Sequence, residues 1–245
     1  KEMLGDAEGG RLALADLAPP DRLFAYFAKP EALLQMMDGG TDFIFRGGAS
    51  ATGRSLEYGM TARYLGKLGV SEQWVRGLLK SGVIEEMAVM LPDLFLVDGT
   101  DLTVVSRLKN PRLAAASLKM LGLSSLKGIV ARKADDWSDV FWTQRDDLLL
   151  ISTQRAELDR VLALLADPAE SLGQSAEFRY MLSRQPLNER TRATVYFSDP
   201  FVRRLVGPAA KIGQLRRLQA RAEMEAITAG NLLYQADGHG GKATL

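Results

Sequence analysis

Apolar residues along this chain follow two periods. Short continuous apolar runs of strand length give way, after two to four turn or capping residues, to stretches where apolar positions recur every three to four residues. That succession occurs four times: Leu23 to Phe27 then Pro30 to Met37, Leu102 to Leu108 then Pro111 to Leu121, Leu148 to Ser152 then Arg155 to Leu165, and Thr194 to Phe197 then Pro200 to Val206. Proline opens the helical stretch in three of the four, where its φ is already helical and its missing N–H had no helical partner to lose. Asn110 and Asp199, each just before such a proline, offer a side-chain oxygen as N-cap, and Thr153 with Gln154 takes that place before Arg155.

Between these units strands come in pairs, which predicts an antiparallel sheet rather than a βαβ winding. Met87 to Leu91 and Leu94 to Val97 are split by Pro92-Asp93, and Asp98-Gly99 marks a hairpin into Leu102. Gly128 to Arg132, Val140 to Thr143 and Leu148 to Ser152 read as a second meander, with Arg145-Asp146-Asp147 as its last turn. Short helices are expected at Tyr58 to Leu68, Glu72 to Leu79 (capped by Ser71) and Ala176 to Arg184, and a long one from Pro208 to Gln235. The predicted fold is α+β: two diverged halves of largely antiparallel sheet, 1–123 and 124–207, with helices packed on one face, then a C-terminal helix and tail over 208–245.

Composition narrows the class. With 47% hydrophobic and 25% charged residues over 245 positions, the chain has the balance of a globular protein large enough to bury a core. It contains no cysteine and one histidine, His239, so thiol chemistry and His/Cys metal sites are excluded and little imidazole acid–base chemistry remains. Total charge is near balance, 31 basic against 30 acidic residues, and gives no polyanion signal. Residues 1–100 are net acidic and 101–245 net basic, with the excess at Arg203, Arg204, Lys211, Arg216, Arg217 and Arg221.

Three stretches imitate catalytic or binding motifs. Gly48-Ala49-Ser50-Ala51-Thr52-Gly53-Arg54-Ser55 matches a phosphate loop with Arg in place of Lys; Arg is bulky where such a loop wraps a compact ammonium, and antiparallel meanders do not supply its parallel sheet. Ser124-Ser125-Leu126-Lys127 has the serine–lysine spacing of penicillin-interactive enzymes, but follows a helix-ending Gly122 and has no facing K-T-G strand. Asp135, Asp136 and Asp139, with Asp146 and Asp147 one strand later, could gather around Ca²⁺, yet lack the spacing of a calcium loop and serve equally as turn residues. Trp74, Trp137 and Trp142 read as core or rim anchors. Along the last helix, Ile212, Leu215, Leu218, Ala222, Met224 and Ile227 form an apolar face, with Lys211, Arg216, Arg217 and Arg221 on other faces. That helix either packs on its own domain or docks a partner; with no aromatic residues interleaved among its arginines, nucleic acid is disfavoured.

Leu148 to Thr153 followed by Glu157-Leu158, then Ser171-Leu172 before Phe178, then Ala193 to Phe197, resembles the repeated unit of uncharacterised bacterial exported α+β proteins, as do Phe95 to Leu102 and Arg107 to Pro111. The segment Arg221 to Ile227 through Leu232 to Gly238 is similar to type II secretion pseudopilins where a helix ends in Tyr and an Asp-Gly turn. These resemblances imply a periplasmic or cell-envelope location, a signal or membrane tether ahead of Lys1, and no agreed reaction. The expectation is therefore a non-catalytic, exported envelope protein acting as an interaction or assembly scaffold. It needs no cofactor or metal, has an envelope protein as partner, and binds through the basic residues from Arg203 to Arg221. Two alternatives stand beside it: a nucleotide or phosphate site at Gly48 to Ser55, and a lipid or amphiphile carrier with an apolar cavity between sheet and helices.

Overall fold

A computed structural model describes residues 10–36, 65–92, 101–123, 125–134, 138–206 and 208–236. By contacts the chain forms two compact units, Lys1–Phe201 and Val202–Leu245. The first unit holds a seven-stranded antiparallel sheet in the order β4-β5-β6-β3-β2-β1-β7. Its strands are β1 (Leu23–Phe27), β2 (Ile84–Leu91), β3 (Thr103–Leu108), β4 (Val130–Lys133), β5 (Asp139–Arg145), β6 (Leu148–Ser152) and β7 (Ala193–Tyr196). The helices are α1 (Glu72–Lys80), α2 (Pro111–Lys119), α3 (Arg155–Ala166), α4 (Ala176–Arg184), α5 (Asp199–Val206) and α6 (Pro208–Ala236), and residues 31–36 are also helical.

The α+β class, the antiparallel pairing and the long C-terminal helix are as the sequence predicts. The two expected halves form one sheet. β3 and β6 pair along Thr103↔Ser152 to Arg107↔Leu148, and β7 returns to pair with β1 at the far side, Phe24↔Tyr196 to Phe27↔Ala193. Strands from 124–207 thus flank the three strands from 1–123 on both sides. β2 and β3 pair antiparallel from Met90↔Thr103; the Asp98-Gly99 turn and the Leu94 to Val97 run lie outside the described residues. A bulge between Ile84 and Glu86 shifts the register, and sets Glu86 opposite Arg107.

One sheet face carries Phe24, Tyr26, Ala88, Met90, Val105, Leu148 and Leu150, packed with Leu14 and Ala15 of a 3-10 turn at Ala13–Leu17, Leu158 and Val161 of α3, Leu172, and Phe178 and Leu182 of α4. Phe178 is the pivot: its ring meets Phe24 edge-on at 6.1 Å and Tyr196 at 4.9 Å, contacts worth about 0.5–1.5 kcal/mol each beyond the area they bury. Helices α3 and α4 sit on this face. The alternate positions are buried too, with Phe27, Trp142 and Leu149 almost wholly enclosed. A strand buried on both sides reads as an unbroken apolar run, which is why Leu148 to Ile151 shows no alternation. Gly173 permits a close approach on the first face, since a Cβ there would sit 2.8 Å from the Asp16 amide nitrogen.

Local signals placed most helix starts. Ser71 accepts from the Trp74 N–H at 3.2 Å, Asn110 from Leu113 at 3.1 Å and Ser175 from Phe178 at 3.2 Å. Two assignments need correction. The cap of α5 is Ser198, whose Oγ accepts from the Phe201 N–H at 3.1 Å, so Asp199 is already inside the helix. At α3 Gln154 makes no side-chain cap, and Thr153 Oγ1 accepts instead from the Leu102 N–H at 3.0 Å, tying the strand ends together. Among the described residues no helix is long and apolar enough to cross a membrane.

Candidate interaction helix

Among the described residues of the first unit, three sets of interacting polar side chains bear on chemistry, and each is held by its own hydrogen bonds. At the first, Arg22, only 7% exposed, grips both oxygens of Glu157, Nε to Oε2 at 2.9 Å and Nη2 to Oε1 at 2.5 Å, and donates to Asp21 at 2.6 Å. Arg160 completes the ring by donating to Asp21 at 2.7 Å and to Glu157 at 3.2 Å. Two guanidiniums and two carboxylates leave no oxygen without a donor. Burial opposes the Glu157 charge, but the Arg22 hydrogen bond and the charges of Arg22 and Arg160 outweigh it and hold the carboxyl below its ordinary value. A carboxylate so held is a poor general acid or base near neutral pH.

The second set is Tyr26, Glu86, Arg107 and Asp147. Tyr26 Oη donates to Glu86 at 2.7 Å, and Arg107 donates to Glu86 at 2.8 Å and to Asp147 at 2.7 Å. Burial and the Glu86 carboxylate push the Tyr26 phenol well above its usual range, which keeps it a neutral donor. At the third, Thr103 Oγ1 and Ser152 Oγ share a buried hydrogen bond of 2.9 Å, and Ser152 also accepts from the Gln154 N–H. Neither of those partners draws a proton from the serine, so this pair joins strands and activates no nucleophile.

The sequence motifs fare differently from one another. Gly48 to Ser55, Ser124, Asp135, Asp136 and Trp137 lie outside the described residues. Asp139 pairs with Lys133 at 3.1 Å and Asp147 with Arg107 at 2.7 Å, while Asp146 takes the left-handed turn conformation, φ 51°, so these three serve the hairpins. Among the described residues no group of three or more His, Asp or Glu side chains is placed to hold a metal. Trp142 is fully buried, and Trp74 anchors α1 to α2 by donating to the Ser117 carbonyl at 3.3 Å.

What stands apart is α6. It has Pro at its first turn and is built largely from Ala, Leu, Arg, Gln and Glu, strong helix formers; its 29 residues span about 44 Å. Its apolar side chains are exposed: Leu215 61%, Leu218 64% and Leu233 68%. Arg216 and Arg221 are exposed as well, and Arg221 donates to Glu225 one turn on at 3.0 Å. Lys211 and Arg217 belong to the same helix, with side chains outside the described set, and Arg203 and Arg204 are exposed on α5. At helical spacing the α6 basic residues ring the helix and do not form one basic face. The apolar face also differs from the expected one. Met224 and Ile227 fall away from it, and the stripe runs through Ile212, Leu215, Ala222, Ala226, Ala229 and Leu233, with Gln219 between its two parts.

No family model, curated protein or solved structure matches this chain. The stripe was missed in the sequence because alanines fill its middle and Gln219 interrupts it; its signal is the alternating three- and four-residue step. The ion-pair ring around Glu157 has no sequence signal, since Asp21 and Arg22 lie far along the chain from Glu157 and Arg160.

Proposed function

We propose that this chain is a non-catalytic interaction or assembly scaffold in which α6 is the docking element. One observation carries the reading: a long helix exposes a row of apolar side chains broken once, at Gln219, and such a row is the usual mark of a surface that another helix or groove covers. The closed ion pairs of the first unit support it from the other side, because their carboxylates already have their donors. A bacterial envelope location, with a protein partner there, belongs to the same proposal; it is supported by the cysteine-free composition and by the sequence resemblances.

A photo-reactive amino acid placed at Leu218 in the producing cell tests the reading. A single discrete adduct from Leu218, with none from an equivalent probe at exposed Glu189, is the expected result. Equal, diffuse labelling from both positions would show that α6 has no dedicated partner.

A further inference from the structure

Stepping alternately three and four residues along α6 gives Ile212, Leu215, Gln219, Ala222, Ala226, Ala229 and Leu233, every one exposed; this is the seam of a helix pair. Size is unevenly distributed along it. The large side chains Ile212 and Leu215 come first, the small ones Ala222, Ala226 and Ala229 follow, and Leu233 is large again at the far end. Two copies in parallel would set large against large at Ile212, Leu215 and Leu233 and alanine against alanine at 222, 226 and 229 between them, which no single interhelix distance can pack. Turned antiparallel about a point between residues 220 and 221, the copies match from Ile212 to Ala229, and Leu233 falls opposite Pro208 at the helix start. Ile212 faces Ala229 of the second copy, Leu215 faces Ala226, Gln219 faces Ala222, and symmetry repeats each layer.

Charge selects the same register. Beside the seam, the position following Leu215 is Arg216 and the one following Ala222 is Glu223. In this register Arg216 of each copy lies opposite Glu223 of the other, two opposite-sign pairs with no like-sign pair in these positions. Leu218, also beside the seam, meets Glu225, whose carboxylate Arg221 already holds at 3.0 Å.

We infer that the occupant of the α6 seam is a second copy of this chain, its α6 lying antiparallel on the first. The inference rests on the reading of α6 as a docking helix and names its partner. The full chain sediments as a monomer–dimer equilibrium in a concentration series. Arg216→Glu turns both pairs into Glu–Glu and weakens the dimer about tenfold. Glu223→Arg does the same, the double variant recovers the original constant, and an equimolar mixture of the two single variants forms the mixed dimer in preference to either homodimer. Both side chains are exposed on a helix, and unchanged circular dichroism verifies that the fold is kept.

Orientation is read with cysteines, of which the chain has none of its own. Leu215→Cys mixed with Ala226→Cys gives the mixed disulfide. A homodisulfide of Leu215→Cys would mean parallel helices and overturn the inference, as would a dimer indifferent to the charge reversals. A chain that stays monomeric with rapidly exchanging α6 amides overturns the second-copy inference and leaves a docking helix for another protein. A monomer with slowly exchanging α6 amides places the helix on its own chain and overturns both.

Discussion

Glu157 shows how one residue can link the stability of this protein to acid pH. Its carboxylate is largely shielded, 17% exposed, and receives three charged hydrogen bonds within 3.2 Å from Arg22 and Arg160. Because its value in the folded chain is lowered from about 4.5, folding favours the ionised form. The stability this adds is fully present above the unfolded value and disappears as pH falls through the folded one. Glu157→Gln removes the charge and leaves Arg22 with Asp21 alone, at an expected cost of about 2–3 kcal/mol at neutral pH. Urea midpoints measured from neutral pH into acid should therefore show a large gap between the two proteins at neutral pH that narrows steadily below the ordinary carboxylate value. A constant gap across that range would mean that the variant loses packing and not charge. Tyr26 acts in the opposite direction. Its phenol is raised in the folded chain, so its contribution is present below about pH 10 and is lost as the solution becomes more alkaline.

At the scale of elements, α2 and α3 each follow a strand after the same two-residue connection, yet their starts are fixed in different ways. Asn110 supplies a side-chain oxygen to the Leu113 N–H at 3.1 Å, and Gly122, at φ 78°, turns the chain after the far end. Gln154 supplies no side-chain cap, and α3 is held by Leu158 and Val161 in the core and by the Arg22–Glu157 pair. Replacing Asn110 with Ala should cost about 1 kcal/mol, and replacing Gln154 with Ala close to nothing, as read from thermal midpoints of the two variants. Equal losses at both positions would contradict this division. The contrast also marks what a sequence discloses. The Asn-Pro start of α2 and the Ser caps of α1 and α4 are local chemistry, legible within four residues. β1 and β6 are legible as apolar runs, but that pattern does not say which strands they pair with. The α5 start was displaced by one residue because Ser198 and Asp199 are both good caps, and only packing decides between them, through the buried Phe201 and the hydrogen bond from Ser198 to the Pro20 carbonyl.

For the whole molecule, the sequence disclosed two halves, and long-range pairing made them one sheet. β7 closes against β1 only after every other strand is in place along the chain, and Phe178, Phe24 and Tyr196 bring three separate segments to one point; such contacts carry no local signature. The candidate helix was legible as amphipathic, whereas its true stripe was concealed by alanines whose apolar character is weak one residue at a time and appears only once the exposed row is followed end to end. This division of the chain has a consequence for stability. The core residues of the sheet unit all lie within Lys1–Phe201, and α5 is anchored there by Phe201, whereas the apolar residues of α6 bury little. A chain ending at residue 206 keeps the sheet, both of its packed faces and the Ser198 cap. It should fold with a thermal midpoint within a few degrees of the full chain in dilute solution, since the apolar side chains of the deleted helix are exposed and for a chain of this size about 1 kcal/mol moves the midpoint by only about 2–4 °C. At high concentration the full chain should gain stability with concentration and the shortened chain should not, because association adds to stability only in a protein that still carries the associating surface. Calorimetry of both at two concentrations measures this directly. A shortened chain that melts far lower in dilute solution would show that α6 belongs to the core of its own chain.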